Sequence, residues 1–323
     1  MIARRSLLAA GLLAAPAVHA QEFPWRSVRL MVPFSPIGAA DGVARLIVPP
    51  LGFGLRQRIT VDNMGGGATR VGSSAVVRAL PDGHTLLVTT DALAALEALP
   101  QAGRPSLLAG LAPVMLCASA PMVMVTHPRS GLSSATGFAR RLRGGPEMNI
   151  GVPGLGSTPH FVSAMLCEAL GRQPRHTAFR GVPAVLAELQ AGNLDAAVMV
   201  LGAAMEGLRE GRIVGLGVTC AGQTRLAPEI PSFGAAVARG FVAETWIGLF
   251  APAATPAPTL ARLSRETLTA LREPSVMQPL NSQGFETPGL PAGPFAALLR
   301  ETITRYAAIA AVIGLRGEEL SPI

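Results

Sequence analysis

Short apolar segments alternate with helix-compatible segments along most of the chain, and this order constrains the fold more than any other feature. The predicted strands cover residues 28–32, 59–61, 84–89, 121–126, 148–152, 176–179, 196–200, 214–219 and 246–250. The predicted helices cover residues 38–51, 71–80, 132–143, 157–170, 183–191, 258–271, 275–282 and 293–311. Strands that alternate with helices of this length form βαβ units around a mainly parallel sheet. We therefore predict an α/β fold.

The chain has 323 residues, which exceeds the size that one hydrophobic core usually serves. The order of its segments divides into two α/β units. The helices after residue 257 are accompanied by too few strands to form a third domain. We expect them to pack back onto the first sheet, which makes the first domain discontinuous.

The first twenty residues have the pattern of a signal peptide. Arg4 and Arg5 precede an apolar run at residues 6–17, and Val18-His19-Ala20 is a small-x-small cleavage motif. The run is shorter than the about 20 apolar residues that a membrane span needs. We expect cleavage after Ala20 and export to the periplasm, by the general or the twin-arginine route.

Arginine supplies every fixed positive charge, because the sequence contains no lysine, and the formal net charge is +7. Nucleic-acid binding would require basic clusters interleaved with aromatic residues. Aromatic residues make up only 4% of the chain, and the arginines are scattered apart from Arg140, Arg141 and Arg143 on a predicted helix face. The composition argues against a nucleic-acid partner, whereas the positive charge would weakly attract anionic solutes.

The three cysteines do not form a recognisable pattern. Cys117, Cys167 and Cys220 lie far apart, and no Cys/His spacing indicates a metal site. Three buried thiols are the simpler interpretation, and a Cys117–Cys220 bridge in an oxidising compartment is the alternative. We expect neither a metal nor a cofactor.

Two strand-to-helix turns share one design. Residues 33–41 (PFSPIGAAD) follow the first strand, and residues 153–160 (PGLGSTPH) take the same place in the second unit. Small residues at such a turn expose the backbone N–H groups of the first helical turn, where the helix dipole also favours negative charge. Each turn is suited to a carboxylate, and two turns facing each other across a cleft would suit a solute with two polar ends.

Each turn also has a simpler interpretation. Asp41 could satisfy only the helix dipole, and His160 could only cap or pack. The glycine order differs from a dinucleotide fingerprint, and the absence of lysine excludes a phosphate loop. Ser157 and His160 could pair as nucleophile and base, although no GxSxG elbow surrounds the serine. An exported hydrolase that uses these two residues is the alternative function.

At these turns the chain resembles a known family, the solute-binding receptors of tripartite tricarboxylate transporters, often called Bug proteins. The resemblance runs from residue 26 to the C-terminus and rests on short motifs in a fixed order. The most informative are VPFSP at 32–36, PDGHTLL at 81–87, GLGSTPH at 154–160 and WIGLFAP at 246–252.

The resemblance implies a type II periplasmic binding protein fold, in which two α/β domains joined by two crossover strands surround a ligand cleft. Domain 1 would comprise residues 21–120 and 222–323, and domain 2 residues 121–221. The crossovers would fall near residues 117–121 and 219–222. The resemblance implies a receptor and not an enzyme, and this receptor would close around an organic acid.

Carried over position by position, the family's ligand residues fall on both turns and on two neighbouring strand ends. They are Phe34, Ser35, Ile37, Gly38, Ala39, Ala40, Asp41, Thr90, Gly156, Ser157, Thr158, His160 and Arg180. Ile37 departs from the family pattern, which has glycine there, and a β-branched residue resists a positive φ. Either the turn is rearranged or the pocket is narrowed at that point.

The resemblance also implies partners. A monomeric receptor would capture a small di- or tricarboxylate, amino acid or aromatic acid and deliver it to the membrane subunits of a tripartite transporter or to a sensor. A ligand-sensing domain of a transcription regulator would share the fold. The export signal and the lack of a helix-turn-helix segment argue against that alternative.

Overall fold

A computed structural model describes residues 22–99, 103 and 105–319. The predicted signal peptide and its cleavage site lie outside the described residues. Within the described part, ten strands form one sheet. The strands are β1 (Val28–Val32), β2 (Ile59–Asn63), β3 (Thr85–Thr90), β4 (Leu111–Thr126), β5 (Asn149–Val152), β6 (Arg175–Ala178), β7 (Ala196–Val200), β8 (Val214–Val218), β9 (Glu244–Pro252) and β10 (Leu290–Pro291).

Helices cover both faces of this sheet. They are α1 (Ala39–Leu55), α2 (Arg70–Val77), α3 (Ala92–Ala98), α4 (Ala135–Gly144), α5 (Thr158–Ala169), α6 (Val182–Ala191), α7 (Leu201–Arg209), α8 (Phe233–Ala236), α9 (Ala257–Arg272), α10 (Pro274–Ser282) and α11 (Ala292–Ile313). The predicted strands and helices are all present, and apart from β4, which begins ten residues earlier than predicted, their ends differ by a few residues.

The strand order is β2-β1-β3-β9-β4-β7-β5-β6, and β8 and β10 also pair with β4. We call β1–β3, β9 and β10 the first half of the sheet and β5–β8 the second half. The long strand β4 belongs to both, because its early residues pair with β9 and β10 and residues 122–126 pair with β7 and β8. The two halves are therefore joined through β4, beside β9.

Strand direction decides where the strand ends lie. β1 and β3 run in the direction of β4, from the first half towards the second, because β3 and β4 are both antiparallel to β9. β7 is antiparallel to β4, and β5 is parallel to β7, so both run the opposite way. The carboxyl ends of β1 and β3 thus point at the carboxyl ends of β5 and β7, and ligands of α/β sheets bind at such ends.

Five elements go beyond the predictions: β4 in its length, and α3, α7, α8 and β10, which the sequence did not predict. β4 is 16 residues long, whereas only its last part was predicted, because Pro113 and Pro121 are atypical of a strand interior. Irregularities in its pairing with β9, beginning at Pro113, accommodate the extra length. α3 is short and apolar throughout, and α7 follows β7 directly and contains two glycines, so neither has a clear helical pattern.

The core consists of clusters on the two faces of each half. In the first half, α1 and α9 pack on one face around Ile47, Leu51 and Leu263, and α3 and α11 pack on the other around Leu96 and Phe295. In the second half, α4 and α5 share one cluster, and α6 and α7 share another. The C-terminal helices therefore pack on the first half, as predicted, although α11 also contacts α5.

The cysteines are all free, and Cys117 and Cys167 are completely buried. The alternative of a Cys117–Cys220 bridge is therefore wrong for this structure. Among residues 22–99, 103 and 105–319, no helix is long and apolar enough to cross a membrane, and no group of three or more side chains has the composition of a metal site.

Candidate functional site

The first turn ends at the exposed start of α1. Gly38 is the N-cap residue, and no side chain caps the helix, so the N–H groups of its first turn lack a side-chain cap. Ser35, Gly38 and Ala39 are exposed, Phe34 is half-buried and Ala40 is buried. This is the arrangement that binds anions at helix starts.

The buried side chain of Asp41 stabilises this turn. The residue is 3% exposed, and its carboxylate accepts hydrogen bonds from the Ile37 N–H (3.0 Å), the Arg45 Nε–H (2.8 Å) and the Asn63 amide (2.9 Å). These interactions, the one with Arg45 foremost, lower the pKa of Asp41 to about 2 against the effect of burial. The carboxylate is thus engaged within the protein, where it holds the turn in place, and this supports the simpler interpretation in which Asp41 serves the start of the helix and does not contact a ligand.

Ile37 keeps the turn in a glycine-like conformation. Its φ is 76°, and its side chain is 97% exposed. The expected alternatives were a rearranged turn or a narrowed pocket. The turn is not rearranged, because Ile37 stays in the left-handed region. The side chain instead lines the cleft beside Gly38 and Ala39. A β-branched residue in this region is a conformational outlier, and such strain is typical of functional sites.

Replacing Ile37 with glycine is expected to stabilise the fold. Relief of the left-handed conformation returns about 1–2 kcal/mol, while the flexibility of glycine costs about 0.5–1 kcal/mol, and an exposed side chain loses no packing. The free energy of unfolding in urea should rise by about 0.5–1 kcal/mol. Val312→Gly, a matched change at an exposed residue of α11, should lower it. A free energy of unfolding that is lower in Ile37→Gly than in the wild type would show that Ile37 does not strain the turn.

The second turn is held by its own backbone and by a buried histidine. Gly156 has a φ of 71°, which only glycine adopts readily. The Gly156 N–H donates to Nδ1 of His160 (3.1 Å), and the Ser157 hydroxyl donates to the Gly154 carbonyl (2.7 Å). α5 then starts at Thr158 without a side-chain cap. Because Pro159 has no N–H and the Ser157 N–H donates to the Gly154 carbonyl, the first turn of α5 offers only the N–H groups of Thr158 and His160, fewer than that of α1.

His160 is a structural residue in this arrangement. It is 4% exposed, its ring packs edge-on against that of His176 at 4.8 Å, and Nε2 of His176 contacts the Ser163 hydroxyl at 2.9 Å. Burial lowers the pKa of His160 to about 4 and that of His176 to about 3, so both are neutral at pH 7. Because His160 binds the turn and Ser157 binds Gly154, the pair lacks the contact that a nucleophile and its base need.

Asp91, directly after β3, is a residue that the sequence interpretation missed. It is buried and accepts hydrogen bonds from the hydroxyls of Thr245 (3.0 Å), Tyr306 (2.9 Å) and Thr158. Burial outweighs these bonds and raises its pKa to about 6. Thr158 opens α5, so this cluster ties the second turn to the carboxyl end of β3. An acidic residue directly after a buried strand is the signal that could have found it.

A ring stack reinforces this junction. Phe161 of α5 lies parallel to Tyr306 of α11 at a centroid distance of 4.2 Å. Thr90 ends β3 beside Asp91, and its hydroxyl oxygen accepts from the Ala92 N–H. Thr158 contacts Asp91, the residue after Thr90, so the start of α5 lies beside the carboxyl end of β3. Arg180 follows β6, is exposed and does not line the cleft.

A cleft of about 750 Å³ separates the first turn from the second half of the sheet. Ile37, Gly38 and Ala39 form one wall, and Val200 with the start of α7 forms the opposite wall. Glu206, Arg209 and Glu210, in and directly after α7, also line it. In the described part of the chain both glutamates pair with Arg212, whereas Arg209 has no carboxylate partner. The residues of the second turn do not line this cleft, and neither do Phe34, Ser35, Ala40 and Asp41.

The backbone N–H groups at the helix starts can hold a ligand, but they supply no group that attacks a bond. A site of this kind suits a protein that binds a solute and releases it unchanged. Comparison with known proteins is more specific. Residues 43–315 match the tripartite tricarboxylate transporter family receptor, and the chain belongs to that family. The family predicted from the sequence is thereby confirmed, and its members are receptors rather than enzymes.

The chain is similar to relatives over nearly its whole length. It is 31% identical over 317 residues to the UPF0065 protein in the tcbD-tcbE intergenic region of a Pseudomonas species, covering 94% of this chain and 93% of the relative. MatC from Rhodopseudomonas palustris, solved with bound malate, is 28% identical with a TM-score of 0.72, covering 89% of this chain and 99% of MatC. A second protein of that species, solved with adipate, is 25% identical with a TM-score of 0.75, covering 90% and 98%. The predicted periplasmic binding protein fold is confirmed.

Proposed function

We propose that the protein is a periplasmic receptor that captures a small organic carboxylate between the starts of α1 and α5. The observation that carries the proposal is the opposition of strand ends, because the turns after β1 and β5 point at each other from the two halves of the sheet. Only the first turn lines the cleft in this structure, so closure of the two halves would bring both sets of first-turn N–H groups to one space, where both helix dipoles favour an anion.

The chemistry of the cleft supports an acid with two polar ends. One carboxylate would bind at the start of α1, near Gly38 and Ala39. Arg209 lies across the same cleft and would pair with a second anionic group, since the neighbouring Glu206 and Glu210 are paired with Arg212. The related structures with malate and adipate hold dicarboxylates. A dicarboxylate is therefore the first class of ligand to test.

Capture would proceed by hinged closure. A ligand that touches both halves stabilises the closed state by its differential affinity alone. The proposed domains are residues 21–120 with 222–323, and residues 121–221. Phe233 packs on Phe138 of α4 at 6.1 Å, which supports counting residues 222–243 with the second domain and moving the return crossover to the start of β9.

Family membership supports the rest of the proposal. The loaded receptor, a monomer in the periplasm, would deliver its solute to the membrane subunits of a tripartite transporter. A sensor is the alternative recipient. The hydrolase alternative has no support in the contacts of Ser157 and His160.

Isothermal titration calorimetry tests the proposal directly. The mature protein is titrated with malate, adipate, citrate, glutamate and benzoate, and with the diamides of malate and adipate as uncharged controls. We expect at least one acid to bind with 1:1 stoichiometry and its diamide not to bind. Folded protein that gives no heat with any acid of the panel would contradict the proposal.

A further inference from the structure

We infer that the protein carries a second small-molecule site, in a cavity beside the crossing strands β4 and β9, that binds a small organic cation. The cavity has a volume of about 450 Å³ and lies between α5 and α11. This volume is within the about 300–1,000 Å³ that small-molecule sites occupy. None of its lining residues belongs to either carboxylate turn or to the cleft between α1 and α7.

The charge of the cavity is opposite to that expected at the carboxylate turns. Glu244, Glu286 and Glu301 line it, with Arg305 as the accompanying cation. Arg305 is engaged elsewhere, because it pairs with Glu301 at 3.7 Å and donates to the Val242 carbonyl at 2.7 Å. In the described part of the chain, Glu244 and Glu286 have no ion pair. A carboxylate solute would therefore be repelled here, and a cation attracted.

The two unpaired carboxylates act on the same space. Glu244 is partly buried and accepts a hydrogen bond from the Ser119 hydroxyl. Burial raises the pKa of Glu244, and the nearby charge of Glu286 raises it further. A bound cation would remove this repulsion, because an opposite charge within about 4–6 Å stabilises an ionised carboxylate.

The walls of the cavity suit the apolar part of an organic cation. The rings of Trp246 and Tyr306 line it and are almost completely buried, and Val162, Met165 and Leu298 add aliphatic surface. Aromatic faces attract ammonium groups by cation–π interaction. Carboxylates beside aromatic and aliphatic walls define the ligand class as a primary or quaternary ammonium with a short aryl or alkyl chain.

Occupancy of the cavity would also respond to the arrangement of the two halves. Val162 and Met165 belong to α5 of the second half, whereas Leu298 and Arg305 belong to α11, which packs on the first. A cation that contacts both helices would couple to carboxylate binding, and the coupling would be reciprocal.

Trp246 provides the readout. The chain contains two tryptophans, and Trp25→Phe leaves only the one in the cavity wall. This variant is titrated with 2-phenylethylammonium, 2-phenylethanol and phenylacetate, which share a shape and differ in charge. We expect a saturable change in Trp246 fluorescence with the ammonium, and an affinity at least about tenfold weaker for the alcohol and the anion. No saturable change, or equal affinity for the three probes, would overturn the inference.

Charge removal locates the site. Glu244→Gln combined with Glu286→Gln should weaken ammonium binding at least about tenfold, and Glu286→Gln alone, at an exposed residue, should weaken it measurably even if the double variant unfolds. Glu147→Gln, at an exposed carboxylate outside the cavity, should bind as the parent does. Gly38→Val should also leave ammonium binding unchanged, which separates this site from the carboxylate cleft. Unchanged affinity in Glu286→Gln would refute the assignment.

Discussion

Gly38→Val is expected to weaken the binding of the receptor's carboxylate ligand at least about 100-fold, which corresponds to about 2.7 kcal/mol. The reason is the distance that an anion must reach from the first-turn N–H groups of α1. Charge-assisted hydrogen bonds of this kind contribute about 1.5–3 kcal/mol each, and they require contact at about 2.7–2.9 Å. A valine side chain at the cleft wall would keep a carboxylate from that contact.

The fold should tolerate this change. Gly38 has a φ of −77°, which any residue adopts, and an added Cβ would meet only the Ser35 carbonyl oxygen at 3.7 Å. Gly156→Val is less informative because its φ of 71° would strain the second turn as well. Gly293→Val, at another open glycine with no positive φ, is the matched control and should bind normally. Calorimetric affinities that are equal for Gly38→Val and Gly293→Val would show that the first turn is not the site.

Asp41→Ala is expected to be the most destabilising single change in the first turn. Removal of the buried carboxylate leaves the Ile37 N–H without an acceptor, takes from the Asn63 amide one of its two acceptors (the Phe34 carbonyl is the other) and separates Arg45 from its ion pair. Loss of such a network costs about 3 kcal/mol of unfolding free energy. Urea denaturation at pH 7 measures it. Asp62→Asn, at the half-exposed Arg29–Asp62 pair, is the control and should cost less than about 1 kcal/mol.

The pH dependence of Asp41 provides a second test of the same network. Its pKa is about 2 in the folded protein and about 3.9 in an unfolded chain. The unfolded state therefore binds the proton first, and the stabilisation is fully present above about pH 5 and is lost as the pH falls towards 2. The stability difference between wild type and Asp41→Asn should shrink by about 1 kcal/mol from pH 7 to pH 3. A difference that does not change with pH would mean that the carboxylate is not stabilised as described.

Local pattern was sufficient to predict most elements and the two turns. The strand at residues 28–32, the small residues that follow it and the start of α1 are close in sequence, so their order alone fixes the turn. The direction of the turns towards each other could not be read from those residues. It depends on β4 and β9, whose pairing joins residues more than a hundred positions apart.

The roles of single side chains were harder to predict because their partners are distant in sequence. Asp91 bonds to Thr245 and Tyr306, which lie 154 and 215 residues away. His160 could be interpreted as a base until the ring of His176 and the Gly156 N–H were seen beside it. For Ile37, residue preference predicted a rearranged turn or a narrowed pocket, and the turn kept the left-handed conformation that isoleucine resists.

Amide NMR of the deuterated, ¹⁵N-labelled mature protein tests the central claim most directly, because the claim concerns N–H groups on two turns. The protein is titrated with the tightest-binding acid of the calorimetric panel. The amide signals of Gly38, Ala39 and Ala40 and those of Ser157 and Thr158 should shift together, with one dissociation constant, and the diamide should leave them unchanged. Shifts confined to one turn, or different constants for the two turns, would contradict a single carboxylate held between them.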